Sequence, residues 1–353
     1  MNSRAFFPSL LLAVILLAAG CTDAPRKPDA AAALPPAEAR IIGFYNMENL
    51  FDARHDPGKK DEDYLPDGQY AWTQDKYEKK LANMAHVIAE MAKENGRYHA
   101  VLGVAEIEND AVLKALVAQP EIAEAGYRFV HFESPDSRGI DVALLYRPDI
   151  VKVLESKPLK LDDRRTRSTL MVRAEIDGEA FAFYVAHLPS RQGEDAEKYR
   201  CRGAEIIYDH AMQLQRRWPG IKIVVMGDMN DNPSDKSLAD RLHGREKPET
   251  VGEKDFFSPF WAMHKAGYGS QTYRGEWNIY DCILVNEALT HPAEGTFGIL
   301  KIEKNKYYGK VFDAPFLTQQ SGRYKGTPFR TFSGSRFING YSDHYPTYIA
   351  IGK

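Results

Sequence analysis

From Arg40 onward the chain alternates short apolar runs of strand length with longer stretches in which apolar residues recur every three or four positions. The runs at 41–45, 100–105, 142–146, 180–186, 221–226 and 283–285 are rich in Val, Ile, Phe and Tyr, which predicts strands. Tyr77, Leu81, Met84, Ile88 and Met91 share one face of a predicted helix that Thr73 can cap at its start and Gly96 at its end. Tyr199, Ala204, Ile207, Ala211, Leu214 and Trp218 sketch a second helix, which must stop at Pro219-Gly220 because proline cannot donate the next helical hydrogen bond. Helices between strands usually cover the faces of a sheet. Within 129–156 and 169–187, however, strand follows strand with no helix between, which calls for antiparallel hairpins in mixed sheets. No linker or fixed-period repeat interrupts this pattern, so residues 40–353 are expected to form one domain.

The apolar runs break off directly into amides, carboxylates and imidazoles. The exits read Asn46-Met47-Glu48-Asn49, Glu106-Ile107-Glu108-Asn109, His187-Leu188-Pro189-Ser190-Arg191 and Gly227-Asp228-Met229-Asn230-Asp231, and Ser342-Asp343-His344 precedes the last strand. If neighbouring strands bring these ends together, one rim gathers a site. Oxygen donors from Asp, Glu and Asn suit Mg²⁺, Mn²⁺ or Ca²⁺ better than zinc, and such an ion can polarise a phosphoryl oxygen. Amides such as Asn46 and Asn230 can donate to phosphate oxygens without adding negative charge. Taken singly, each residue also has a structural explanation. Asp228 and Asn230 have the spacing of a turn, Glu108 favours the start of a helix near Asn109, and Arg138 and Asp141 either touch phosphate or form a hairpin ion pair.

Composition narrows the partners. A hydrophobic share of 44% and a formal charge of −3 over 353 residues fit a globular protein that does not hold a polyanion by bulk electrostatics, so the grip must be local. The basic clusters Arg164-Arg165-Arg167, diluted by Asp162 and Asp163, and 301–310, with Tyr307 and Tyr308, are the polyanion-binding candidates outside the rim; solvated loops explain them equally. At the N-terminus, Arg4 precedes an apolar run that ends in Ala18-Ala19-Gly20-Cys21, too short for a membrane span and shaped like a secretory signal. It resembles a bacterial lipoprotein signal, with Ala18 where the usual motif has Leu. The expectation is a signal peptide at 1–20, lipid on Cys21 as the membrane attachment, an Ala/Pro-rich tether at 21–39, and export to the bacterial cell envelope. The remaining cysteines, Cys201 and Cys282, are expected as free thiols, and the domain as a monomer.

A family resemblance now emerges. Tyr45-Asn46-Met47-Glu48-Asn49-Leu50-Phe51-Asp52, Val104-Ala105-Glu106-Ile107-Glu108-Asn109, Arg138-Gly139-Ile140-Asp141, His187-Leu188-Pro189-Ser190-Arg191, Gly227-Asp228-Met229-Asn230, Tyr280-Asp281 and Ser342-Asp343-His344 resemble, in order, the motifs of the endonuclease/exonuclease/phosphatase superfamily, deoxyribonuclease-like members above all. The resemblance implies a four-layer α/β/β/α sandwich of two mixed sheets flanked by helices. It implies Glu106 as principal metal ligand with Asn46, Glu48 and Asp343 near the ion. Asp228 is implied to orient or deprotonate the attacking water, with Asn230, Asn46 and Arg138 at the phosphate. His344 is implied beside the scissile phosphate and held by Asp281, and His187 as a second histidine. The expected activity is metal-dependent phosphodiester hydrolysis, with nucleic acid as first substrate and Mg²⁺ as first ion. The same fold serves phosphatases and phospholipid or inositol-phosphate phosphodiesterases. The spacing from Trp277 to Asp281, and Cys282 after it, depart from several branches, leaving substrate class open. A surface binding lipoprotein that lost catalysis is opposed by the filled catalytic positions.

Overall fold

The computed structural model describes residues 35–36, 38–161, 165–273, 275–302 and 306–353. The expected signal peptide, the lipid on Cys21, most of the tether and Arg164 lie outside the described residues. Eight strands open the domain: Arg40–Leu50 (β1), Val101–Ile107 (β2), Arg128–His131 (β3), Asp141–Tyr146 (β4), Val151–Leu159 (β5), Thr169–Ile176 (β6), Glu179–His187 (β7) and Lys222–Asp228 (β8). The helices Gln74–Asn95 (α1), Asp110–Val117 (α2) and Ala196–Arg217 (α3) are interleaved with them. One sheet runs Gly298–Leu300, Thr347–Gly352, β1, β2, β4, β3, with Gly309–Val311 also pairing the last strand. The other runs β5, β6, β7, β8, Asp281–Asn286, Phe256–Phe257, Gly244–Arg245. Both are mixed: β1 pairs β2 in parallel and β7 pairs β8 in parallel, while most other pairs are antiparallel.

β1, β2 and β4 of the first sheet pack against β6, β7 and β8 of the second, and the central strands are accordingly buried on both faces. The approach is close at Gly103, where an added Cβ would lie 2.6 Å from Met226 Sδ. α1 lies on the outer face of the first sheet against β1. On the outside of the second, α3 is fastened by a 2.7 Å hydrogen bond between Tyr184 of β7 and His210. The expected layers are therefore present.

Both predicted helices form. α1 ends at Gly96, whose φ of 67° is the left-handed turn that favours glycine. α3 stops with Trp218 as its last cap, just before Pro219. The strands run further than their apolar stretches, β1 to Leu50 and β7 and β8 to His187 and Asp228. Ladder hydrogen bonds come from the backbone, so pairing continues after the side chains turn polar. One hairpin expectation is corrected: β3 and β4 pair, but β5 crosses to the other sheet and pairs β6. Cys201 and Cys282 are buried free thiols. Among the described residues, no helix is long and apolar enough to cross a membrane.

Candidate active site

The site is assembled by register. In the second sheet Asp228 is paired with His187 on one side and Asp281 on the other, so the three side chains stand in one row on one face. The parallel and antiparallel mixture explains why two strand ends and one strand start meet at the same rim. Across from this row comes His344, three positions before the last strand. Its Nδ1 is 2.7 Å from Asp281 Oδ2, and its Nε2 lies 3.8 Å from Asp228 Oδ2 and 2.9 Å from the Gln271 carboxamide nitrogen. Ser270 Oγ donates to the same Asp281 oxygen at 2.6 Å.

The first sheet supplies the facing wall. β1 and β2 both carry register shifts where they reach the rim, between Asn46 and Leu50 and between Ala105 and Ile107. Such bulges re-aim side chains. Glu48 (φ 46°), Asn49 (52°), Glu106 (59°) and, on the exit of β8, Asn230 (50°) all occupy the left-handed region that non-glycine residues seldom adopt. Asn46 is fully buried and its orientation is fixed by its neighbours. Its oxygen accepts from Glu48 N–H at 2.9 Å, so its amide must donate, to Asp228 Oδ2 at 3.0 Å and Glu106 Oε1 at 3.3 Å. Glu106 is also held by Asn49 N–H at 3.0 Å. One ligand atom each from Glu106, His187 and Asp228 lies within 4.8 Å of the others, a donor set that fits a divalent cation.

The electrostatics separate the groups by role. Burial lifts the Asp228 carboxyl to about 7, with the Asp281 and Glu106 charges adding to the rise and His344 opposing it. For His344 burial would lower the pKa, but Asp281, Asp228 and Asp343 outweigh it and hold the ring well above the ordinary histidine range. Burial, then the Arg167, Arg138 and His344 charges, drive His187 well below that range. One imidazole is thus kept charged and the other neutral, the divergence expected of groups with separate acid–base tasks.

Residues 41–353 match the Endonuclease/Exonuclease/phosphatase family. The chain belongs to that family. Its members are hydrolytic phosphoesterases that generally use a divalent metal, and the chain is an enzyme of this kind. A comparison with curated protein sequences finds no match. Among solved structures, TDP2 of D. rerio complexed with single strand DNA product aligns at a TM-score of 0.52 and 15% identity, covering 89% of this chain and 99% of that one. A truncated TDP2 of Caenorhabditis elegans aligns at 0.51 and 12%, covering 89% and 96%. An endonuclease/exonuclease/phosphatase family protein of Bacteroides thetaiotaomicron aligns at 0.50 and 15%, covering 89% and 97%. At these identities the likeness is one of fold.

Measured against what the family resemblance implied, Glu106, Asp228, Asp281, His344 and His187 converge, whereas other candidates are engaged differently. Asn46 is turned as a clamp on two carboxylates, its oxygen already taken by Glu48 N–H. Glu48 and Asp343 are both held by Arg330, at 3.3 Å from Nε and 2.7 Å from Nη2, and Thr331 N–H and buried Lys80 also face Glu48. Asn230 forms the expected turn, its N–H donating to Asp228 Oδ1 at 3.0 Å, and its amide donates to Leu188 O. Arg138 pairs at 3.5 Å with Asp136, not with Asp141, which instead accepts from Ser134 N–H and lies 3.4 Å from His131. Glu108 does not serve the helix start. Asn109 caps α2, and Glu108 accepts from Asp52 N–H at 2.7 Å. Of the basic clusters, Arg167 is buried against Asp136 and Leu188 O, Lys310 pairs with Glu94 and Tyr307 is buried. Three contributors escaped the sequence reading: Arg330, Gln271 and Lys80. Lys80 left a signal, a charge three positions after Tyr77 and four before Met84 on the apolar stripe of α1.

Proposed function

We propose that this phosphoesterase is a nuclease that acts outside the cytoplasm with Mg²⁺ as its ion. The observation that supports it most is the convergence of Glu106, His187, Asp228, Asp281 and His344 on one rim. Glu106 would hold the ion, with the Asn46 amide fixing the orientation of its carboxylate and His187 beside it. When bound, the ion polarises a phosphoryl oxygen and offsets the charge that gathers there during attack. Asp228 orients the attacking water and accepts its proton as the oxygen attacks phosphorus. His344, kept protonated by Asp281, gives its proton to the departing oxygen. Asn230 has one amide hydrogen on Leu188 O, so the other remains for a phosphate oxygen, and half-exposed Arg138 lies on the same rim.

Two features favour nucleic acid over a small phosphoester. Trp277 is 38% exposed and stacks on Tyr345, on the hairpin whose Gln271 meets His344, so it offers a base a flat apolar surface beside the reacting phosphate. The D. rerio TDP2 structure with this fold holds a single strand DNA product. Export, anchoring through lipid on Cys21 and action as a monomer complete the proposal, supported by the apolar run and small residues before that cysteine.

The test is to incubate the full chain with plasmid DNA, RNA and bis(p-nitrophenyl) phosphate, with Mg²⁺, with Ca²⁺ and with EDTA. Mg²⁺-dependent cleavage of nucleic acid is expected, falling at least about 100-fold in His344→Ala and Asp228→Asn. Turnover of the chromogenic ester with both nucleic acids intact would redirect the proposal to lipid or small phosphoesters. Inertness towards all three substrates refutes it.

A further inference from the structure

The chain carries a formal charge of −3, yet the segment 314–342 contains Arg323, Lys325, Arg330 and Arg336 and no Asp or Glu, with aromatic residues spaced among the cations. Part of it folds into a finger. Its legs pair at Thr318 and Pro328, where Phe329 N–H donates to Leu317 O at 2.7 Å and Gln319 N–H to Thr327 O at 2.8 Å. The two feet are fastened to the residues on either side of His344. Thr318 Oγ1 lies 2.6 Å from the hydroxyl of Tyr345, the ring on which Trp277 stacks. At the other foot Arg330 Nη2 is 2.7 Å from Asp343 Oδ2 and Arg330 Nε is 3.3 Å from Glu48 Oε1, while Lys80 donates to the adjoining Thr331 Oγ1 at 2.7 Å. Arg330 is thereby engaged, and the cations at the tip are not. Arg323 and Lys325 are exposed, and among the described residues neither has a carboxylate partner. Tyr324 between them is 37% exposed, with the Arg323 guanidinium carbon 5.6 Å from its ring centre.

Unpaired cations around an exposed aromatic ring suit a single-stranded nucleic acid, whose phosphates meet the charges and whose unpaired bases can stack on the ring. An anionic membrane surface would take apolar side chains into its boundary layer, and the tip at 319–326 has no aliphatic or Phe residue to offer. We propose that the finger at 317–329 grips a single strand as it leaves the cleft, with Arg323 and Lys325 on its phosphates and Tyr324 against a base beyond the one on Trp277. The inference deepens the nuclease reading proposed above and rests on it. It names the substrate as a chain of several nucleotides, single-stranded beside the scissile bond, since a mononucleotide in the cleft would not reach the tip.

The test reads the salt dependence of binding. A fluorescein-labelled thymidine oligonucleotide is titrated with the full chain in EDTA, which prevents cleavage, and its anisotropy is followed over a range of KCl. The proteins are wild type, Arg323→Gln/Lys325→Gln, Tyr324→Ala and, as a control for net charge, Lys152→Gln on the edge strand β5; circular dichroism melting confirms that each is folded. Each single-strand phosphate contact contributes about 0.7 to the slope of log affinity against log salt, so the double variant should lose about 1.4 from the slope and bind about 25-fold more weakly at about 0.1 M salt. Tyr324→Ala should weaken binding at least about fivefold with the slope unchanged, and Lys152→Gln should match wild type. With Mg²⁺ in place of EDTA, KM for the same oligonucleotide should rise in parallel. A double variant with the affinity and slope of wild type overturns the inference. So does one that keeps its hold on the oligonucleotide and instead no longer sediments with phosphatidylglycerol vesicles, which assigns the finger to a membrane surface. A wild type that neither binds the oligonucleotide nor cleaves it with Mg²⁺ refutes the nuclease reading beneath, so the two failures are distinguishable.

Discussion

Replacing Asp281 by Asn isolates one physical contribution, the negative charge behind His344. The side chain is fully buried, and its Oδ2 meets His344 Nδ1 at 2.7 Å and Ser270 Oγ at 2.6 Å. An amide oxygen can still accept from the imidazole, so geometry is retained and charge is lost. Hydrogen bonds to charged groups contribute about 1.5–3 kcal/mol net, against about 1 for neutral ones. The difference, about 0.5–2 kcal/mol, lowers kcat/KM for a phosphodiester between about twofold and about 30-fold, at 1.4 kcal/mol per factor of ten. The pH profile supplies the decisive sign. Burial pulls the His344 pKa down, and Asp281 is the largest of the charges that raise it. Without that charge the ring loses its proton at lower pH, so the alkaline limb of kcat/KM moves towards acid. Melting temperature serves as the structural control: the variant loses the carboxylate beside a buried imidazolium, so it should melt lower than wild type, and rates are compared well below its midpoint. Initial rates on bis(p-nitrophenyl) phosphate from pH 5 to 10, wild type against variant, carry the measurement. An alkaline limb that stays in place in a folded variant would show that His344 is not the proton donor this geometry describes.

Three further outcomes are expected. Lys80→Met should lower stability by about 3–5 kcal/mol in urea unfolding, because it strips a buried cation from Glu48, Thr331 Oγ1 and Tyr341 O; a change below 1 kcal/mol on that scale counts against the buried network. His99 is fully buried, neither ring nitrogen has a hydrogen-bond partner, and burial lowers its pKa to about 3. Its folded pKa lies below the unfolded value near 6.5, so the stability it contributes is present above pH 6.5 and is lost as pH falls towards 3, by about 2 kcal/mol at pH 5; His99→Leu should flatten the urea-derived slope between pH 5 and 7 by that amount. Gly103→Ala should cost about 1–3 kcal/mol, since its Cβ would stand 2.6 Å from Met226 Sδ between the sheets, and an unchanged urea midpoint would mean the sheets part more readily than described.

The architecture was legible because its cause is periodic. Apolar runs, the α1 stripe and the stop at Pro219-Gly220 each express a local rule, and the elements formed where those rules placed them. The site was legible for a related reason: strands buried on both faces stay apolar until they leave the core, so the switch to polar residues near the ends of β1, β2, β7 and β8 marked the rim. What stayed hidden depends on partners far along the chain. Nothing near Arg330 announces that its guanidinium reaches Glu48, 282 positions away. Nor does β5 say which sheet it joins, since it is an edge strand in which only Val151 is buried. The orientation of Asn46 was hidden for a similar reason, because donor type is visible in a sequence while the direction of a side-chain amide is set by the Glu48 N–H that folding brings to it.

The left-handed residues at the rim connect these points. Glu48, Asn49, Glu106 and Asn230 each hold a conformation that costs a non-glycine residue roughly 1–2 kcal/mol, and the neighbouring strands are ordinary. Glycine would relieve that cost, but at position 48 it would remove the carboxylate held by Arg330, at 106 the proposed ligand, and at 230 the proposed phosphate donor. Each bulged exit turns a side chain that regular pleating would send to alternating faces so that several point into one cleft. The strain persists because long ladders on both sides over-determine it: five register pairs join β1 to the last strand, and seven join β7 to β8. Stability invested in the middle of the sheets therefore sustains a geometry at their ends that no short segment would adopt alone, and weakening the core, as at Gly103, should disturb the cleft before it unfolds the domain.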